Sequence, residues 1–173
     1  LMIAPCANQP VTLHLEGPLV SRPFVDMTLS LMSRFGVHVV EEPDGTFVVA
    51  PGRYDGIELD IEPDATAASY FLAAAAVTGG RVVVEGLDRH GLQGDVAFVD
   101  CLAKMGCRVE QTETGLCVTA GELVGIDVDM NAISDTAQTL AVVAAFASSP
   151  TRIRGIAHAR LKETDRVNAM VTE

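Results

Sequence analysis

An interval of about 70 residues constrains this chain more than any other feature of its sequence. Gly36 and Gly106 each stop an amphipathic helical pattern and lie 70 positions apart. The same distance separates Asp95 from Asp165, each in the opening turn of such a pattern. Asp64 and Asp135, each directly before an alanine-rich run, are 71 apart. Three matching pairs at an offset of 70 or 71 predict similar modules that pack around each other, each reading helix, strand, helix, strand, strand and a short linking strand. One complete unit falls at about residues 64 to 134, with incomplete units before and after it.

Pro10 to Gly17 alternates apolar and polar residues as a half-buried strand does. Ser21 precedes a helix in which Pro23 suits the first turn, Phe24, Met27, Thr28, Leu31 and Phe35 share a face, and Gly36 ends the run. Val37 to Val40 and Thr46 to Val49 form a hairpin around an Asp-Gly turn. The stretch from Pro51 to Pro63, with two prolines and two glycines around the alternating Ile57 to Ile61, predicts a crossing segment between domains of residues 1–60 and 61–173. The alanine-rich helix after Asp64 has so little polar face that burial on most sides is expected. A second alanine-rich helix follows Asp135, and a last helix opens near Leu161. Leu1 and Met2 read as the tail of a helix, and the final residues stop inside an amphipathic run, so the chain reads as a segment of a longer protein.

Composition removes several function classes. The formal net charge is −11 and only eight of 173 residues are aromatic, with no Trp. A chain so acidic and so short of stacking surfaces is a poor partner for nucleic acid. No apolar window reaches the length of a membrane span, and there is no signal peptide pattern. Cys6, Cys101, Cys107 and Cys117 show no CxxC spacing and read as small reduced hydrophobes in a reducing compartment, not as zinc ligands or a disulfide frame.

Against that acidic background, Arg152, Arg154, Arg160, Lys162 and Arg166 supply five of the 12 basic residues within one short stretch. Such a cluster predicts a local anion site. Lys162 and Arg166, four apart, would share a helix face and offer an ammonium and a flat guanidinium to phosphate or carboxylate, next to the unpaired N–H groups of the helix start. Asp135 reads either as a plain N-cap, which is the reading for Asp64, or as a proton acceptor facing bound anions. Glu163 and Asp165 could cap the turn or take part in the chemistry. His158 has no second histidine or cysteine cluster to make a metal site, so its readings are a hydrogen bond to an oxygen-rich ligand or an exposed surface position. Ser21 reads as an ordinary polar residue ahead of a helix unless its module also faces the anion.

The strings LVSRPFVDMTLSLMSRFGV, DATAASYFLAAAAVTGG, LQGDVAFVDCLAKMG, MNAISDTAQTLAVVAAFA and RLKETDR cover nearly the whole chain. Together the sequence resembles the 5-enolpyruvylshikimate-3-phosphate synthase family of the bacterial and plastid type. The resemblance implies an α/β (α+β) fold of repeated helix-strand modules, the two-domain enolpyruvyl transferase fold, incomplete in this chain. It implies transfer of the enolpyruvyl group of phosphoenolpyruvate to the 5-hydroxyl of shikimate 3-phosphate with release of phosphate, toward chorismate and the aromatic amino acids. No cofactor and no metal is needed, and the location implied is the cytoplasm, or a plastid for a plant source.

Carried over by residue, the resemblance implies that Ser21 and His158 contact shikimate 3-phosphate and that Asp135 meets its 5-hydroxyl as proton acceptor. Lys162 would reach both substrates, Glu163 would help proton transfer at the methylene carbon, and Arg166 would hold phosphoenolpyruvate. The sequence departs from the family pattern at His158, where Asn is frequent, at Phe24, where Tyr is common, and at Ser134, where Pro is common. The alternatives are an enolpyruvyl transferase acting on UDP-N-acetylglucosamine, and a noncatalytic fragment that depends on the N- and C-terminal parts it lacks. The chain alone is expected to be inactive.

Overall fold

The computed structural model describes all residues 1–173 and divides into two compact units, Leu1–Ile61 and Glu62–Glu173. In the first unit the strands β1 (Val11–Leu13), β2 (Val39–Glu41) and β3 (Phe47–Val49) form an antiparallel sheet in the order β1-β3-β2. Helix α1 (Arg22–Arg34) runs between β1 and β2. The small core comprises Ala4, Met32, Val37 and Val49. Met32, outside the face expected from the sequence, is the buried residue of α1, while Phe24 is exposed. The β2–β3 turn closes by Glu42 N–H to the Thr46 carbonyl at 2.8 Å, and the Asp44 carboxylate accepts from Thr46 N–H at 2.9 Å. Near the chain start, Ala4–Cys6 forms a 3-10 turn, and Cys6 is exposed. The strand expected over Pro10 to Gly17 shortens to β1, and the alternating stretch at 57–61 forms no strand.

The second unit opens with α2 (Ala65–Thr78), followed by β4 (Arg81–Glu85), a 3-10 turn Gly94–Ala97, α3 (Phe98–Lys104), β5 (Arg108–Gln111) and β6 (Gly115–Thr119). Its sheet has the order β4-β6-β5, again antiparallel. The correspondence with the first unit reaches the register: Val11 faces Val49 in one sheet, and Arg81 faces Thr119 in the other, both partners 70 positions further on. Gly106, at φ +110°, ends α3 where a side chain would run into the Glu122 carbonyl, so the stop needs a residue without Cβ.

Strand β7 (Asp127–Asp129) leads into a 3-10 turn, Asn131–Thr136, then α4 (Ala137–Ala144), β8 (Arg152–Arg154), a 3-10 turn Ala157–Leu161 and α5 (Arg166–Thr172). β7 and β8 pair in parallel across α4. The core joins Leu72 of α2, Phe98 and Leu102 of α3, Met105, Leu116 of β6, Met130 and Leu140 of α4. α2 packs on α4, and the hydroxyls of Ser69 and Thr139 meet at 3.2 Å within that contact. α2 is buried along one side only, through Ala68, Leu72, Ala75 and Ala76, and its Tyr70 and Phe71 are exposed. Burial on most sides, expected from its composition, is therefore not met within this chain.

Candidate anion site

The 3-10 turn before α4 sets the position of Asp135. Asp135 is inside that turn, and the residue flanking α4 is Thr136, whose hydroxyl donates to the Ile133 carbonyl at 2.9 Å and caps nothing. Asp135 is thus not the N-cap that its place before an apolar run suggested. Asp64 is one: its carboxylate accepts from Ala67 N–H at 3.0 Å at the start of α2.

Released from capping, the Asp135 carboxylate receives two cations on the same oxygen. Arg166 Nη1 donates to Oδ1 at 2.8 Å, and Lys162 Nζ donates to it as well. The same guanidinium forks onto Glu163, with Nε to Oε1 at 2.8 Å and Nη2 to Oε2 at 2.9 Å. Two parallel bonds from a rigid guanidinium fix its plane as well as its charge. The Asp135, Lys162 and Arg166 side chains are each about a quarter exposed or less, whereas that of Glu163 is mostly exposed.

Lys162 and Arg166 do not share a helix face. Lys162 follows the 3-10 turn 157–161 on extended backbone, and α5 begins at Arg166 with Asp165 as its N-cap, accepting from Asn168 N–H at 2.9 Å. Arg160 also bonds the Asp165 carboxylate, at 2.9 Å. The two cations meet through Asp135, not through helical spacing. Arg152 and Arg154 lie on β8, where Arg154 is tied to Asp127 at 2.6 Å.

His158 Nε2 is 3.0 Å from the Ser134 hydroxyl, and Lys162 Nζ donates to the same hydroxyl at 3.5 Å. Ser134 is buried. Sequence reasoning marked Ser134 only as a departure from a family pattern, and the signal that could have found it is its place directly before Asp135. It departs from that pattern together with His158, and the two touch. Ser21 belongs to the first unit, as the residue flanking α1, at φ +54°. It is the one non-glycine residue in the left-handed region, which L side chains adopt only against steric resistance.

The electrostatics follow from these contacts. The Arg166 hydrogen bonds hold the Glu163 carboxyl below the usual range, and Arg166 in turn is raised, chiefly by Glu163. Asp165 is lowered mainly by the Asn168 N–H it caps. Burial raises the Cys101 and Cys107 thiols, which makes them poor nucleophiles. No group of three or more His, Cys, Asp or Glu side chains is placed to hold a metal ion, and no helix is long and apolar enough to cross a membrane. Two half-buried cations around a carboxylate can bind an anion and orient a proton acceptor beside it.

The family model described as EPSP synthase (3-phosphoshikimate 1-carboxyvinyltransferase) matches residues 1–173. The chain belongs to the EPSP synthase family. A relative from Nostoc punctiforme named 3-phosphoshikimate 1-carboxyvinyltransferase is 50% identical over 175 aligned residues, covering 100% of this chain and 41% of that protein. A protein of the same name from Pseudoalteromonas translucida is 44% identical with the same coverage. This chain of the EPSP synthase family therefore spans about two fifths of the length of those relatives. Among solved structures, EPSP synthase from Acinetobacter baumannii aligns with a TM-score of 0.73 at 24% identity, covering 99% of this chain and 40% of that one. The enolpyruvyl transferase NikO from Streptomyces tendae aligns with a TM-score of 0.66 at 20% identity, covering 88% of this chain and 37% of that one. These two likenesses establish the mixed helix-and-sheet enolpyruvyl transferase fold.

Proposed function

We propose that the full protein containing this chain transfers the enolpyruvyl group of phosphoenolpyruvate to the 5-hydroxyl of shikimate 3-phosphate and releases phosphate. The observation that carries this reading is the convergence of Lys162 and Arg166 on Asp135, beside Glu163. The reaction adds an alcohol across the double bond of an enol phosphate, turning the methylene carbon into a methyl, and then eliminates phosphate with loss of a methyl proton to leave an enol ether. It needs a base for the hydroxyl, an acid for the methylene carbon and cations for phosphate and carboxylate. No redox step occurs.

Both cations fall on Oδ1 of Asp135. A substrate hydroxyl can then pass its proton to Oδ2 without breaking either pair. Lys162, an ammonium on a flexible stem, serves the substrate phosphate and carboxylate groups. Arg166 binds the carboxylate or phosphate of phosphoenolpyruvate by the fork it now gives to Glu163. That exchange has a chemical use: Arg166 keeps Glu163 ionised, and turning Arg166 onto the substrate removes the main cause of that low proton affinity. Glu163, mostly exposed, can then take a proton from solvent and deliver it to the methylene carbon. Ser21 and His158 complete the contacts to shikimate 3-phosphate, with His158 oriented by Ser134.

The division of the chain at Ile61 and Glu62 supports assigning residues 1–60 and 61–173 to different domains of the parent protein. The remaining parts would supply further cations, and cytoplasmic location fits the small anionic substrates. Phosphate release from the full-length protein with both substrates tests the reading. Release only when UDP-N-acetylglucosamine replaces shikimate 3-phosphate would reject it. The 173-residue chain alone should stay at background, because two multiply anionic substrates would have to lose water against too few cations.

A further inference from the structure

Asp95 lies outside the set of residues given a role above, yet it is 3% exposed and its Oδ1 is buried with no hydrogen-bond partner. A buried carboxylate oxygen left without a donor is costly, and a native structure that keeps one calls for a reason. Its other oxygen is held by the Thr66 hydroxyl in the first turn of α2. Neighbouring Gln93 pins the same turn, accepting from Ala65 N–H at 2.8 Å and donating to the Pro63 carbonyl at 2.6 Å. The carboxyl is therefore fixed in place. The 3-10 turn that carries it packs against the 3-10 turn that carries Asp135.

The charged groups that act on Asp95 are few. Burial is the largest influence and raises its proton affinity, Asp135 and Asp64 add to that rise, and Lys162 opposes it. Helix α3, also against this turn, brings Asp100, which is tied to Arg89, and Lys104, which is exposed. The outside charges that matter are thus the two at the centre of the anion site and the cap of α2.

We propose that Asp95 is a positioning residue, a buried carboxylate on the turn packed against that of Asp135, whose charge weakens anion binding at Lys162. A negative charge in that place opposes an incoming phosphate. Removing the charge should therefore raise anion affinity, which separates this role from simple support of the fold. This inference takes from the function proposed above only that the site binds anions.

The test uses the full-length protein and Asp95→Asn, which keeps an oxygen for Thr66 and removes the charge. Inorganic phosphate should bind about 5-fold more tightly, as expected for neighbouring groups coupled by roughly 1 kcal/mol. The gain in phosphate affinity should shrink in a Lys162→Met background. Phosphate binding that weakens or stays unchanged, or that responds equally in both backgrounds, overturns the proposal. Should the native protein fail to turn over the two substrates, the proposed function falls, and the phosphate titrations still decide the role of Asp95. Should Asp95→Asn not fold, the carbon-13 titration of native Asp95 decides: Lys162→Met should move its midpoint up, and no movement rejects the coupling.

Discussion

Asp64 and Asp135 stand 71 positions apart at the heads of two alanine-rich helices, and they do different work. Asp64 is on extended backbone directly before α2, and its side chain turns back to a helical N–H. Asp135 is wound into a 3-10 turn, α4 starts two residues later, and its side chain turns away to Lys162 and Arg166. Residue type is unchanged between them. What differs is the turn, which withdraws one carboxylate from the helix and gives up a cap worth about 1 kcal/mol. A repeated fold can thus create a charged site by altering the backbone that delivers a residue already present.

The comparison can be broken by exchanging the expected losses. Asp135→Ala in the full-length protein should lower kcat by about 100-fold or more, the scale of a lost general base, while Asp64→Ala leaves turnover near native. Equal losses at the two positions would mean that both are caps, or both are sites. Next in size, Arg166→Lys keeps the charge and loses the fork, so the KM for phosphoenolpyruvate should rise about tenfold, a difference of 1.4 kcal/mol in binding. An unchanged KM would detach Arg166 from that substrate. Asp64→Ala should cost about 1 kcal/mol in urea unfolding of the protein, with the slope of the transition unchanged.

Smaller still, Ser134→Ala and His158→Ala should not add: a double-mutant cycle on stability should return a coupling of about 0.5–1 kcal/mol. Additive losses would make their 3.0 Å contact incidental. The smallest effect is a trend with pH. Burial raises the folded-state proton affinity of Asp95, so its contribution favours folding below the ordinary carboxylate range and is lost as pH rises through the raised value. Asp95→Asn should therefore gain stability relative to the native protein between pH 3 and pH 7, followed by Tm. A constant difference across that range would show that Asp95 titrates alike folded and unfolded.

The repeat was legible because its signals are local. Gly36 and Gly106 stop helices through backbone geometry, and Asp64 caps through a bond to the third residue after it. The start of α5 was not legible: Leu161, Lys162 and Arg166 have helical spacing, but Asp165 takes the N-cap and Arg160 binds it, which leaves Lys162 on extended backbone. The pairing of Lys162 and Arg166 was therefore foreseen for the wrong reason. The same local grammar left Asp135 between two readings, cap and proton acceptor, because nothing local shows that Thr136 would stand directly before α4. The contacts of Ser134 and Asp95 were not legible because their partners, His158 in one case and Thr66 in the other, are distant in sequence.

The parallel pairing of β7 with β8 sets an order of events. Strands β5 and β6 are joined by a tight reversal, and β4 adds antiparallel to β6. β8 can reach β7 only after the chain has run through the 3-10 turn and α4. Closing that loop is slower than making the β5–β6 reversal, because its entropy is lost before its contacts form. Asp135 precedes β8 and Lys162 follows it, so the two halves of the anion site meet only once the crossover has closed. During refolding, the amides of Arg152 and Met130, which bond across or beside this pair, should gain protection after those of the β5–β6 hairpin. The anion site would then mature after that hairpin, and binding an anion would act as a latch on a scaffold already begun.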